Sequence, residues 1–297
     1  MIGPATLKKT FKQTTGWATL LAQPFRESST QSRASIFYYH RVANLGFHDS
    51  RVDDWNVTPK HFEKQIAALA TFAEIIPLGE LQEGLRSRSP HAKPLVALTF
   101  DDGYANFHSF VLPILKRYQA PATAFVVTSA IGSKQPMPFD RWANRNSDRA
   151  PAETWRPLNW SELEDCAASG LVTIGGHSHL HLRGSKCTIQ QMVDEAGESH
   201  RLLLDHLGEA HSSQYAYPYG NTKLRDVSTD YVAAVEAAGY KLAVTTNLGL
   251  AKADDDPYTL PRLEAHITDS AGILKAKVHG SIGPLRLTDH IRGVYRA

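Results

Sequence analysis

Two adjacent carboxylates, Asp101 and Asp102, follow a short apolar run and precede a glycine. The run at residues 94–100 is typical of a buried strand, and the glycine indicates a tight turn at the strand's carboxyl end. Successive side chains of a strand point to opposite faces, so the two acids are expected to have different roles. Buried carboxylates are usually paired with a cation or a metal ion, whereas an Asp-Gly turn on the surface needs neither. The pair alone therefore leaves a charged site and a solvated turn as alternatives.

A second polar cluster, at residues 177–181, contains three of the chain's 14 histidines. Neutral imidazole is the commonest metal-binding side chain, and two histidines with one carboxylate form the ligand set of a catalytic divalent metal. A helical turn or a tight loop would direct His177 and His181 to one metal, whereas a strand would place His179 on the same face. The spacing does not choose between these conformations. Taken together, the two clusters favour a metal site over a histidine-rich surface loop.

Three segments resemble, in order and spacing, the motifs of the polysaccharide deacetylases, the NodB-homology or carbohydrate esterase family 4 enzymes. Residues 99–103 (Thr-Phe-Asp-Asp-Gly) are similar to the first motif, and residues 177–181 (His-Ser-His-Leu-His) are similar to the second. Residues 215–220 (Tyr-Ala-Tyr-Pro-Tyr-Gly) are similar to the third motif in the form of a bacterial subgroup. Weaker similarities extend the resemblance over roughly residues 35 to 283. Each motif alone is a weak signal, and their combination is specific.

The resemblance implies a role for each matching residue. Asp101 corresponds to the general base, and Asp102, His177 and His181 correspond to the ligands of a divalent metal. Tyr219 corresponds to the residue whose backbone N–H helps to hold the oxyanion. The resemblance also implies the reaction, which is removal of an N- or O-acetyl group from a carbohydrate, most often from an N-acetylhexosamine. The expected metal is Zn²⁺, with Co²⁺, Ni²⁺ or Fe²⁺ as alternatives.

The third motif departs from the family pattern. Many relatives place an arginine there that holds the catalytic aspartate, and this chain has Ala216. Another group must then orient Asp101. A guanidinium can bind both oxygens of a carboxylate and favours its ionised form, so Arg262 in a Leu-Pro-Arg segment is our third candidate catalytic residue. We predict that Arg262 contacts Asp101, and the alternative is a surface arginine.

The family's late Leu-x-His motif, which usually supplies the general acid, has no clear copy in this chain. Three histidines outside the motifs are available for that role, and no sequence signal selects one of them: His40, His266 and His279. His179 lies between the two expected metal ligands and is expected to point away from the metal. The general acid is therefore not assigned from the sequence.

Strands and helices alternate along the chain, as a parallel barrel requires. Strands are expected at residues 36–39, 95–100, 122–127, 172–174, 214–217 and 242–245. Helices are expected at residues 60–71, 111–118, 160–168, 189–207 and 231–238. The motif residues then fall at the carboxyl ends of strands, where barrel enzymes carry their chemistry. The resemblance implies an α/β fold of the distorted (β/α)7 barrel type, and residues 135–157 are expected to form a long loop near the site.

We expect two regions, an N-terminal helical extension at residues 1–33 and the catalytic domain at residues 34–297. Residues 2–25 combine apolar residues with lysines, but no apolar run reaches the roughly 20 residues of a membrane span. No Ala-x-Ala cleavage site follows, so a secretory signal is not expected. An extra helix packed on the barrel is preferred, and the alternative is an amphipathic helix in peripheral contact with a membrane that carries lipid-linked glycans. Cytoplasmic residence is expected.

The net charge and the cysteine content indicate which classes of partner and covalent cross-link are not expected. A net charge of +2 and the lack of a nucleic-acid motif give no reason to expect a nucleic-acid partner. The two cysteines, Cys166 and Cys187, have no metal or redox spacing and are expected to be free thiols.

The expected function is a metal-dependent carbohydrate deacetylase whose substrate is a glycan, with a lipid-linked glycan as one form. Alternatives are a related amidase or deformylase acting on another amide, and a non-catalytic glycan-binding relative that would not need Asp101.

Overall fold

The computed structural model describes residues 33–47, 55–89 and 92–281 of the 297-residue chain. The described strands are β1 (Arg33–Tyr39), β2 (Arg41–Val42), β3 (Asn56–Val57), β4 (Glu74–Ile75), β5 (Leu95–Phe100), β6 (Ala122–Val126), β7 (Val172–Gly176), β8 (Gln214–Ala216), β9 (Leu242–Leu248), β10 (Ala251–Lys252) and β11 (Leu260–Glu264). The described α-helices are α1 (Pro59–Phe72), α2 (Leu81–Ser87), α3 (Leu112–Tyr118), α4 (Ala143–Asn146), α5 (Trp160–Ala168), α6 (Ile189–Leu207), α7 (Thr229–Ala237) and α8 (Ala271–Val278). Apart from Arg33, the predicted N-terminal extension lies outside the described residues.

Seven parallel strands close into a barrel in the order β1-β11-β9-β8-β7-β6-β5, because β5 also pairs with β1. Strand β10 adds to β1 in the antiparallel direction, and β4 adds to β5 in the parallel direction. Helices alternate with most barrel strands along the chain. The expected (β/α)7 barrel is confirmed.

The seventh barrel strand, β11, is missing from the strands expected from the sequence. It contains Pro261, which has no backbone N–H to donate and therefore argues against a strand inside a closed sheet. The sheet accommodates this proline by a shift in register between Leu260 and Arg262 in their pairing with β9. The shift lets the strand complete the barrel while it carries Arg262.

The strands bury both faces, as expected for a parallel sheet. Ile36, Ala97 and Val244 belong to the cluster inside the barrel. The alternate positions, such as Phe37 and Leu98, pack with residues of the outer helices. This arrangement explains why the barrel strands read as continuous apolar runs rather than as alternating patterns.

One end of the barrel is closed by the segment that leads into and forms α2. Leu78, Leu81 and Leu85 are buried and join the inner cluster with Ala34 and Leu95, which lie at or near the amino-terminal ends of their strands. The apolar plug leaves the opposite end, where the strands have their carboxyl termini, for polar residues. Barrel enzymes place their chemistry at that end.

Helices α5 and α6 begin and end at the residues predicted for them. Each starts with a reciprocal capping box, formed by Asn159 with Glu162 and by Thr188 with Gln191. Strand β5 also occurs at the predicted residues, and the remaining predicted helices and strands occur with ends shifted by a few residues. Among the described residues, no helix combines the length and the apolar character needed to cross a membrane.

Candidate active site

The two acids of the first motif are buried just after β5. Asp101 is 2% exposed and Asp102 is 7% exposed, so the solvated-turn alternative is wrong. Asp102 and Gly103 both have positive φ, +74° and +75°, which turns the chain sharply at the strand end. A Cβ on Gly103 would lie 2.8 Å from Cγ1 of Val126, so the turn requires glycine. This turn directs the two carboxylates to different partners.

Asp102 shares a pocket with two histidines. Its Oδ1 lies 3.5 Å from Nε2 of His177 and 3.5 Å from Nε2 of His181. The three ligand atoms all lie within 4.8 Å of one another. A separation of 3.5 Å is longer than a usual N–H···O hydrogen bond, and two ligands about 2.1 Å from a tetrahedral ion would be about 3.4 Å apart. The spacing therefore fits three ligands of one divalent metal ion.

The protonation of His177 also suits a metal ligand. Its Nδ1 donates a hydrogen bond to the carbonyl oxygen of Ala216, at 2.8 Å, which places the ring proton on Nδ1. The lone pair of Nε2 then faces Asp102 and His181, as in metal sites where the second ring nitrogen is held by the protein. Burial raises the pKa of Asp102, but both imidazoles oppose this effect and hold the pKa well below its ordinary value. The donor set is thus one carboxylate and two imidazoles.

The second motif forms a tight loop rather than a helix or a strand. Ser178 and His181 have φ values of +63° and +61°, and the hydroxyl of Ser178 accepts a hydrogen bond from the backbone N–H of His181 at 2.9 Å. His179 lies outside the ligand group, and its Nδ1 is 3.1 Å from the hydroxyl of Thr128. The loop therefore brings together the two histidines four residues apart, as the second motif implied.

Asp101 is held by a guanidinium, as predicted. Arg262 donates from Nη1 to Oδ1 and from Nη2 to Oδ2 of Asp101, both at 2.8 Å. The Arg262 side chain is fully buried, and its Nε donates to the carbonyl oxygen of Thr245 at 2.8 Å. Burial raises the pKa of Asp101, but the guanidinium of Arg262 and the imidazole of His177 bring it below its ordinary value. Asp101 is therefore an ionised carboxylate in a fixed orientation.

Tyr219 lies in a strained turn after β8. It has a φ of +61°, and its side chain is half-exposed with the ring centroid 5.1 Å from that of His181. Thr246 fixes the turn, because its hydroxyl donates to the carbonyl of Tyr219 at 2.6 Å and its N–H donates to Gly220 at 2.9 Å. The backbone around Tyr219 is thus held beside the ligand group. The role of its N–H at an oxyanion stays a prediction.

The structure separates the three histidines that were available as general acids. His40 directly follows Tyr39, whose carbonyl oxygen accepts a hydrogen bond from the backbone N–H of Asp101 at 2.9 Å. The pKa of His40 lies below its ordinary value, because burial outweighs the carboxylates of Asp102 and Asp101, which raise it. His266 forms hydrogen bonds with the threonine two residues later. His279 follows the end of the outer helix α8. His40 is therefore the histidine that the fold places beside the acids.

The long segment between β6 and α5 covers one side of the site, as expected. Phe139 stacks on the ring of His181 with centroids 3.7 Å apart and an interplanar angle of 15°. Its neighbour Asp140 is buried, forms an ion pair with Arg41 and accepts a hydrogen bond from the hydroxyl of Tyr104 at 2.8 Å. Sequence reasoning missed these contacts. The available sequence signal for these contacts was the polar pair His40-Arg41, which directly follows β1.

Comparisons with known proteins agree with this geometry. The family model for polysaccharide deacetylases matches residues 88–243. A putative polysaccharide deacetylase of Bacillus subtilis (strain 168), YxkH, is 28% identical over 168 residues, which are 57% of this chain and 50% of that protein. The poly-β-1,6-N-acetyl-D-glucosamine N-deacetylase of Staphylococcus aureus (strain NCTC 8325 / PS 47) is 22% identical over 254 residues, covering 78% of this chain and 79% of the relative. This chain thus spans half of the length of the B. subtilis relative and about four fifths of the length of the S. aureus relative.

Two solved structures have the same fold. The structure of IcaB from Ammonifex degensii aligns with a TM-score of 0.66 at 22% identity and covers 84% of this chain and 98% of that one. Streptococcus pyogenes deacetylase PplD, in complex with acetate, aligns with a TM-score of 0.63 at 22% identity over 84% of this chain and 99% of that one. The family model covers just over half of the 297 residues, and the chain therefore belongs to the polysaccharide deacetylase family.

Proposed function

We propose that this chain is a metal-dependent hydrolase that removes acetyl groups from a carbohydrate. Removal of N-acetyl groups is hydrolysis of carbon–nitrogen bonds other than peptide bonds, and removal of O-acetyl groups is the alternative. The observation that carries the proposal is that two adjacent acids have different partners. Asp101 is fixed by Arg262, and Asp102 faces two imidazoles. An N-acetylhexosamine glycan is the proposed substrate class, in keeping with the S. aureus relative named for poly-β-1,6-N-acetyl-D-glucosamine.

Asp102, His177 and His181 would hold the metal, and we propose Zn²⁺ with Co²⁺, Ni²⁺ or Fe²⁺ as alternatives. One oxygen and two nitrogen donors suit an ion of borderline softness. A bound divalent ion supplies Lewis acidity, which polarises an acyl carbonyl and lowers the pKa of water to about 7. Because Arg262 holds both oxygens of Asp101, this carboxylate does not turn towards the ion and stays available as a base.

The remaining groups account for the protons. Asp101 takes a proton from the attacking water, since it is ionised and does not belong to the ligand group. The backbone N–H of Tyr219, in its fixed turn, stabilises the negative oxygen of the tetrahedral species. His40 gives a proton to the leaving nitrogen, so that acetate and an amine leave. The proton on Asp101 then returns to solvent and His40 takes a proton back from solvent, which restores both the base and the acid.

Metal analysis combined with acetate release tests the proposal. The purified chain is expected to bind about one divalent ion and to release acetate from oligomers of N-acetylglucosamine that are joined by β-1,4 or β-1,6 bonds. Release of formate or opening of a cyclic imide, without acetate release, would favour the amidase alternative. Glycan binding with no hydrolysis of any substrate would favour the non-catalytic alternative.

The division of the chain into two regions and its location in the cell are also proposals. We propose that residues 34–297 form the catalytic domain and residues 1–33 a helical extension, and that the protein is cytoplasmic. A lipid-linked glycan and peripheral membrane contact by residues 2–25 belong to the same proposal. Sedimentation of the full chain with vesicles, compared with a chain that lacks residues 2–25, measures that contact.

We expect Arg262→Lys to impair turnover at least about 10-fold, because a lysine is a point charge that cannot bind both oxygens of Asp101. The guanidinium lowers the pKa of Asp101, so its replacement should raise that pKa. The ionised base is then lost at a higher pH, and the acid limb of the pH–kcat profile moves to higher pH. Kinetics from about pH 5 to 9 measure both effects.

Arg156→Lys is the matched control, because Arg156 also forms a bidentate pair, with Glu162, and its guanidinium donates to Glu162 and Pro157 rather than to Asp101. Lysine is preferred to alanine at position 262, since alanine would leave a buried carboxylate unpaired at a cost of about 3–5 kcal/mol. An Arg262→Lys variant with the wild-type pH profile would show that Asp101 is oriented by another group.

His40→Gln is expected to slow release of acetate from an N-acetyl sugar by about 10²-fold. It should slow hydrolysis of 4-nitrophenyl acetate far less, because nitrophenolate leaves without a proton. His279→Gln, on the outer side of the barrel, is the control and should change neither rate. Equal losses on the amide and the ester would contradict the assignment of His40.

A further inference from the structure

Helix α6 carries a buried carboxylate that the proposed reaction does not use. Glu195 is 2% exposed and lies on the buried stripe of the helix with Met192, Ala196 and Ser199. Charged residues are rarely buried without partners. The described part of the chain offers Glu195 no ion pair with lysine or arginine, so its partners have to be polar groups of another kind.

Those partners are backbone N–H groups of the second-motif loop. The N–H of Leu180 donates to both carboxylate oxygens of Glu195, at 3.1 and 2.9 Å, and the N–H of Leu182 donates to one of them at 3.4 Å. The residue between these two donors is His181. Glu195 therefore binds the chain on both sides of a metal-ligand candidate.

The loop needs such support because its backbone is strained. His181 has a φ of +61°, a region that non-glycine residues adopt only when the surrounding structure determines it. The side chain gives little help, since its Nδ1 is buried and has no hydrogen-bond partner among the residues that the structure describes. Besides Asp102, the His181 imidazole contacts the rings of Phe139 and Tyr219, so its position depends strongly on the backbone, whose N–H at His181 donates to the Ser178 hydroxyl.

We propose that Glu195 is a positioning residue that holds His181 in place as a metal ligand. This inference rests on the proposed metal-dependent function. Outer groups that orient a ligand typically change metal affinity by about 10–100-fold when they are removed. Glu195 acts on a ligand through the backbone rather than through the imidazole, which distinguishes it from the hydrogen bond between His177 and Ala216.

The test is the affinity of the metal-free protein for Zn²⁺, measured by competition with a chromophoric chelator at constant pH. Glu195→Ala should weaken binding by about 10–100-fold. Glu195→Asp should behave similarly, because its carboxylate is one methylene short of the loop. Glu195→Gln should be closer to wild type, since its amide oxygen can still accept from Leu180 and Leu182.

Glu198→Ala is the matched control. Glu198 lies three residues further along α6, pairs with Arg201 at the surface and should leave the Zn²⁺ affinity unchanged. Thermal unfolding of the metal-free variants separates affinity from stability. If Glu195→Ala binds Zn²⁺ as tightly as wild type, Glu195 only stabilises the fold. Should Glu195→Ala not fold, Glu195→Asp is compared with wild type in the same way. Failure of the wild-type chain to bind any divalent ion would instead overturn the proposed function, and this inference with it.

Discussion

Asp101→Asn should lower turnover by about 10²-fold or more and leave metal binding intact. The amide keeps the shape of the carboxylate but does not take a proton from water. Both oxygens of Asp101 bind Arg262, and Asp101 does not belong to the ligand group. Metal stoichiometry should therefore be unchanged while kcat falls at every pH.

The matched variant is Asp102→Asn, one residue further along the chain. It should lose metal affinity together with activity, because Asp102 supplies the carboxylate of the ligand group. Asp101→Asn leaves the guanidinium of Arg262 without its anionic partner, so the melting temperature should fall, and rates are compared well below it. Loss of metal by Asp101→Asn would mean that the roles of the two acids need revision.

The contrast between these neighbours depends on one backbone feature. Both acids lie at the carboxyl end of β5, and a continued strand would point their side chains to opposite faces. The positive φ of Asp102 turns the chain directly after Asp101. Asp101 then meets Arg262 from β11, and Asp102 meets the loop after β7. Two adjacent residues thereby serve two different chemical purposes.

The sequence predicts the features that depend on local signals. Strand β5 and helices α5 and α6 occur at the predicted residues, because continuous apolar runs and capping residues act within a few positions. The motif residues also come together at the carboxyl ends of strands. The contact between Arg262 and Asp101 was expected only because Ala216 left the acid without its usual partner.

The features that the sequence does not predict depend on distant contacts or on competing local rules. Strand β11 contains a proline that local reasoning reads as a strand breaker, although a register shift accommodates it. The ion pair between Arg41 and Asp140 joins residues 99 positions apart. Glu195 had a local signal, since a glutamate interrupts the buried stripe of α6. Its partners, however, are backbone groups of a loop that no periodicity predicts.

His181→Ala should remove metal and activity together. The ligand group would keep only Asp102 and His177, and loss of a direct ligand should cost more than the roughly 10–100-fold that follows loss of an outer partner. Metal content after dialysis and acetate release from an N-acetylated sugar measure the two effects on the same sample.

His179→Ala is the control that the loop itself provides. His179 lies two residues earlier, interacts with the hydroxyl of Thr128 and does not belong to the ligand group. It should keep stoichiometric metal, so a general disturbance of the loop is distinguished from loss of a ligand. A purified His181→Ala protein with one bound ion and full turnover would place the metal, and with it the chemistry, elsewhere in the molecule.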